Sequence, residues 1–326
     1  MNRIINHSRS PQHGLTLVEL MVALAIGSFL IIGAIQIYNQ SREAFVVNES
    51  IARVQETAQF AMDTIESDLR MASNWGRNSR ALAVEGRSLE GEANPLGLSV
   101  PTACGATWAL DLALAIDGNN NTYGLACGAT GTAQSDSDVL TIRRASVLPA
   151  PLQAGRLQIQ STRVQGQLLV DGSLPAEFTP TNSSTHNLLV HSYYVAQTSN
   201  LMPGVPTLRR KTLTSVGGAI AIQDQEVAHG VENVQLQLGV DVNQDNAVDR
   251  YVNPDDRIYD PTHTDYIPGA RVLAARVWLV VRSVTPELGI TDANTYRPGD
   301  VDLGTPNDSF RRMQVSKTIL LRNART

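Results

Sequence analysis

The chain has 326 residues, enough for one sizeable domain or two small ones beside a membrane segment. Charged residues are 17% and aromatic residues 5%, the formal net charge is -5, and no basic stripe is present, which argues against a nucleic-acid-binding protein. The zinc-protease, serine-hydrolase, P-loop and dinucleotide patterns are all missing, so nothing in the sequence points to an enzyme.

Residues 1–14 form a short leader that holds Arg3, His7, Arg9 and His13 and no acid. An apolar run follows over about 15–38, long enough to cross a bilayer as a helix. It carries one acid, Glu19. A carboxylate at the bilayer centre costs on the order of 3 kcal/mol, so such a residue is expected to have a partner or a function. The basic leader stays in the cytoplasm by the positive-inside rule, which puts the chain beyond Tyr38 in the periplasm. A secretory signal carries its small-residue cleavage site after the apolar core. Here the candidate site, Gly14, precedes it. The plainer alternative is a signal anchor with an incidental glutamate.

The run Gly14-Leu15-Thr16-Leu17-Val18-Glu19, behind a basic leader and ahead of an uncharged stretch, resembles the class III leader and N-methylation motif of type IV prepilins. The resemblance implies a cut after Gly14 by prepilin peptidase and N-methylation of Leu15 as the new N-terminus. It also implies that Glu19 pairs with the N-terminal amine of a neighbouring subunit during assembly. In a low dielectric a carboxylate and an ammonium neutralise each other far more strongly than in water. Two positions depart from the pattern: Leu15 stands where Phe is usual, and Gln36 where many major pilins carry a kinking proline.

The helix is predicted to continue past the membrane. Val47, Ile51, Val54, Ala58, Ala61, Ile65 and Leu69 recur every three or four residues, one apolar stripe on a helix. A helix over 15–72 would be roughly 85 Å long, with its second half lying on a sheet. Gly27 and Gly33 permit either a bend or close helix packing.

After residue 73 the period changes from 3.6 to 2. Residues 73–135 are rich in Gly, Asn, Ala and Thr and read as a long loop with short elements. Strands are predicted at 138–146, 156–164, 167–170, 188–197, 207–213, 231–240, 272–284 and 313–321, with Gly217-Gly218 as a turn. The expected fold class is α+β: a long N-terminal helix packed on an antiparallel β-sheet with long loops. The expected parts are a leader (1–14), the helix (15–72) and a β-rich periplasmic domain (73–326). In an oxidising periplasm Cys104 and Cys127 are expected to form a disulfide closing a loop of about 22 residues, worth about 3 kcal/mol. Two free thiols in a reducing compartment are the alternative.

The segments SDVLTIRRAS, GVDVNQDNAVDRY, ARVWLVVRS and FRRMQVSKTILLRN, in that order, resemble the PilW family of minor pilins. The resemblance implies a pilin-like fold anchored in the inner membrane and a role in priming the pilus within a tip or initiation complex. The implied partners are other minor pilins, the major pilin, prepilin peptidase and a large tip adhesin. A J-type pseudopilin of type II secretion is the first alternative. A membrane-anchored binding domain with a borrowed anchor is the second.

One loop has the makings of a calcium site. Asp241, Asn243, Asp245 and Asp249 alternate in a tight loop, and the carbonyl of Ala247 would supply a further oxygen, a set suited to a hard cation. The alternative is a solvated acidic turn. A second run, Asp117, Asn119 and Asn121, reads as a plain turn. His186 and His191 read as structural or surface residues, and Arg143-Arg144 and Arg311-Arg312 as solvated strand edges. Trp75, Trp108 and Trp278 read as core or loop anchors.

Overall fold

The computed structural model describes Gly14 and residues 16–324. The leader up to residue 13 and the expected methylation position, Leu15, lie outside the described residues. The chain divides into two compact units, one ending at Ile51 and the other beginning at Ala52. A single helix, α1 (Leu17–Met71), contributes to both.

In the first unit α1 is apolar on nearly every side over residues 17–38. Leu17, Leu24, Phe29, Ile31 and Tyr38 are all exposed. This stretch is long and apolar enough to cross a membrane by length and composition, with a mean hydropathy of 2.4 and none of it buried. Nothing lies within 4 Å of a Cβ placed at Gly27 or Gly33.

In the second unit, α1 becomes amphipathic. Val54, Ala58, Ala61, Ile65 and Leu69 are buried on one face, at the spacing the sequence showed. The helix ends where Ser73 turns to a φ of 61°. Its apolar stripe joins Leu236, Leu238, Val277, Leu279 and Ile319 in one core.

Among the described residues twelve strands follow in chain order. They are β1 (Val84–Glu85), β2 (Ile116–Asn119), β3 (Val139–Ala145), β4 (Ala154–Ser161), β5 (Gly166–Asp171) and β6 (Ser184–Ala196). Then come β7 (Thr207–Val216), β8 (Ala219–His229), β9 (Val231–Asp241), β10 (Arg250–Val252), β11 (Arg271–Arg282) and β12 (Arg312–Leu320). The first sheet runs β1-β5-β4-β6-β3-β2, with β7 and β8 joined through β6. The long strand β6 pairs in turn with β4, β3 and β7. The second sheet runs β10-β9-β11-β12 and is antiparallel throughout. The strand β1 pairs with β5 in parallel. The fold is therefore α+β, a long helix with antiparallel-rich sheets.

The strand β8 was not visible in the sequence, and the reason is physical. On one face Ile220 and Ile222 are followed by Asp224 and Glu226, which breaks the apolar alternation. Those acids pair across to the buried Arg209 and Lys211 on β7, at 2.8, 2.7 and 2.9 Å. Gly217 and Gly218 both take positive φ and make the hairpin turn. Cys104 and Cys127 are joined in a disulfide. Trp75 and Trp108 sit in a second core with Leu110, Leu157 and Leu188.

Candidate functional site

At the start of α1, Thr16 and Glu19 cap each other. The backbone N–H and the hydroxyl of Thr16 both donate to Glu19 Oε2 at 2.9 Å, and the N–H of Glu19 donates back to Thr16 Oγ1 at 3.3 Å. This is the reciprocal capping box that a Thr-x-x-Glu spacing allows, and it satisfies donors that a helix start leaves free. The spacing was in the sequence, masked by the motif around it. Gly14 is exposed, with open space about it.

A second constellation ties α1 to the first sheet. Asp68 is 2% exposed. Its Oδ1 accepts Arg144 Nε and Nη2 at 2.9 and 2.7 Å, and its Oδ2 accepts the Tyr193 hydroxyl at 2.5 Å. His191 Nδ1 lies 2.6 Å from the same Oδ2. Although burial opposes it, His191 and Arg144 hold the Asp68 carboxyl well below the usual carboxylate range. The reading of Arg143-Arg144 as a solvated edge is corrected here. Arg143 is buried, donating to the carbonyls of Trp108 and Leu114, and Arg144 serves the helix. Arg312 is likewise largely buried, held by Glu232 and Asp308. Asp68 had a sequence signal: it stands three residues after Ile65 and four before Ala72, both fully buried.

The loop after β9 is held by side chains bonded to its own backbone. Asp241 is buried, and its Oδ1 accepts the N–H of Gln244 at 2.6 Å. Its Oδ2 accepts the N–H of Asn246 at 3.0 Å and Arg271 Nη2 at 3.1 Å. Asn243 Oδ1 accepts the N–H of Asp245, and Asp245 Oδ1 that of Ala247. Asp249 Oδ2 accepts the N–H of Val242. These are successive turns in which short side chains cap their own backbone, with Gln244 and Asn246 both at φ 67°. Among the described residues no group of three or more His, Cys, Asp or Glu is placed to hold a metal ion. Asp241, Asn243, Asp245, Ala247 and Asp249 thus lie together in one loop, and Arg271 sets a positive charge beside the buried Asp241 carboxylate.

Residues 192–323 match the family model described as type IV pilus-assembly protein W. Residues 9–35 match the prokaryotic N-terminal methylation motif. Among solved structures, a type IV-like pilin from Thermus thermophilus is similar at 16% identity. That match covers 60% of this chain and 83% of the other, with a TM-score of 0.30. No curated protein matches.

Proposed function

Because residues 192–323 match the family model of type IV pilus-assembly protein W and residues 9–35 match the methylation motif, we propose that this chain is a minor pilin that primes pilus assembly within a tip or initiation complex. In this reading prepilin peptidase cuts after Gly14, and Leu15 becomes the methylated N-terminus. The first half of α1 anchors the subunit in the inner membrane and then enters the pilus core, and the β-rich unit lies in the periplasm. The partners are other minor pilins, the major pilin and a large tip adhesin. The activity is structural and not catalytic.

The observation that carries this reading is the methylation motif at the start of a helix that is apolar on nearly every side. Such a surface needs lipid or other helices around it. Glu19 then has two roles that can be separated. It caps α1 within the subunit through Oε2, and its charge recruits the amine of a neighbour. Capping tolerates Gln in place of Glu, whereas the charge pair does not. Glu19→Gln should therefore lose piliation as fully as Glu19→Ala, with normal amounts of membrane-inserted protein in both. Wild-type piliation in the Gln variant would show that capping alone suffices and would remove the charge pair from the account.

A further inference from the structure

The second sheet ends at β12, and the outer edge of that strand is open. The Leu321 N–H donates to the carbonyl of Leu273, and the Ser283 N–H to that of Arg311, both at 2.8 Å. These two bonds fix the phase of the β11–β12 ladder. In an antiparallel pair, residues that exchange bonds alternate with residues that do not. The odd-numbered residues of β12 therefore turn their N–H and C=O groups to β11. Gln314, Ser316 and Thr318 turn theirs the other way, where no strand pairs with β12 among the described residues. All three residues are exposed. Short strands discourage pairing at an edge, as in β1 and β10, which have two and three residues. In contrast, β12 has nine residues, no proline and no register shift against β11.

Beside this edge, α1 and β12 enclose a cleft of about 760 Å³. Ala58 and Met62 of α1 line it together with Met313 and Val315 of β12. Met313 and Val315 pack against the helix core on one side and are only half-buried. The cleft holds two charged residues, Glu56 and Lys317. Lys317 is already paired with Glu66 of α1, and Glu56 is exposed, so the mouth of the cleft is acidic.

Given the minor-pilin reading, on which this step rests, we propose that an extended strand of another pilus subunit adds to β12 at this edge. That strand carries apolar residues at alternate positions and a Lys or Arg that meets Glu56. A row of outward N–H and C=O groups at every second residue is matched in series by an extended strand and not by a helix. Side chains alternate along a strand, so every second residue of the incoming one points to the same face as Met313 and Val315, into the cleft. It covers the half-buried side of both. The acidic mouth favours a basic strand over an acidic one and fixes its register.

The test places a benzophenone side chain at Thr318 of the full chain, activates it by light in piliated cells, and reads the cross-linked peptide by mass spectrometry. The expected product joins that position to a β-strand segment of a second protein that carries the prepilin leader motif. Ser316→Pro removes an outward N–H and leaves the bonds to β11 in place, since proline is tolerated on an edge. It should reduce the product roughly tenfold, the effect of losing about one hydrogen bond, with the thermal midpoint in detergent unchanged. Glu56→Lys, on the exposed surface of α1, should reduce it about threefold, the scale of an exposed charge pair, and decides the matter if Ser316→Pro does not fold. The proposal is overturned by no product, or by a product that neither variant reduces. It is equally overturned by a product with a second copy of this chain, with lipid, or with a protein that lacks the leader motif. Failure of the minor-pilin reading itself shows separately, as normal piliation in Glu19→Gln.

Discussion

Removing the Asp68 carboxylate should destabilise the second unit by about 3–5 kcal/mol, the usual cost of breaking a buried charge pair from one side. The magnitude follows from what is left behind. Asp68→Ala strands the Arg144 guanidinium and the buried hydroxyl of Tyr193, both of which now donate to it. For a domain of this size each kcal/mol moves the midpoint by roughly 2–4 °C, so the expected fall is about 6–20 °C. Tyr193→Phe removes one bond to a charged acceptor and should cost about 1.5–3 kcal/mol alone. In the Asp68→Ala background the same change should cost almost nothing, because the acceptor is already gone. The assay is a double-mutant cycle on the full chain in detergent, followed by circular dichroism on heating. A fall of less than 2 °C for Asp68→Ala, on the order of half a kcal/mol, or additive losses in the double variant, would refute the claim that this carboxylate ties α1 to the sheet.

The same group sets a pH dependence. Its folded-state carboxyl is depressed, so its contribution is complete above the unfolded value near about 4 and is lost as pH falls below it. Wild type should thus lose stability from about pH 5 downward more steeply than Asp68→Asn, and parallel pH profiles of the midpoint would contradict this. Reducing the Cys104–Cys127 bond should lower stability by about 3 kcal/mol, read as a reductant-dependent midpoint that Cys104→Ser no longer shows. Gly155→Ala should be destabilising by about 2 kcal/mol or more, since φ is 72° and a Cβ there would stand 1.8 Å from the carbonyl of Gly218. Gly204→Ala, with positive φ but open space, should cost less in the same melting assay.

The sequence was most legible where one periodicity ran unbroken. The stripe from Val54 to Leu69 and the alternation through β9 and β11 each bury one apolar face, and each was read correctly. Legibility failed where charges are paired inside. The strand β8 was hidden because Asp224 and Glu226 face Arg209 and Lys211 across the ladder. Arg144 read as a solvated strand edge because its partner, Asp68, lies 76 residues away along the chain. The strands β1, β2 and β10 are only a few residues long, and β2 contains Gly118, so local propensity carried no strand signal. Glu19 stood out from the sequence because a lone acid in a membrane-length run is costly. Its bonds to Thr16 became visible only once the helix start was placed.

The most direct test of the account is the N-terminal residue of the protein isolated from membranes and from sheared pili, read by Edman sequencing and intact mass. The account predicts a chain that begins at Leu15 carrying one added methyl group, and retention of the leader in Gly14→Val, whose branched side chain obstructs the peptidase. A protein that keeps Met1 in cells with an active prepilin peptidase, in both fractions, would contradict it.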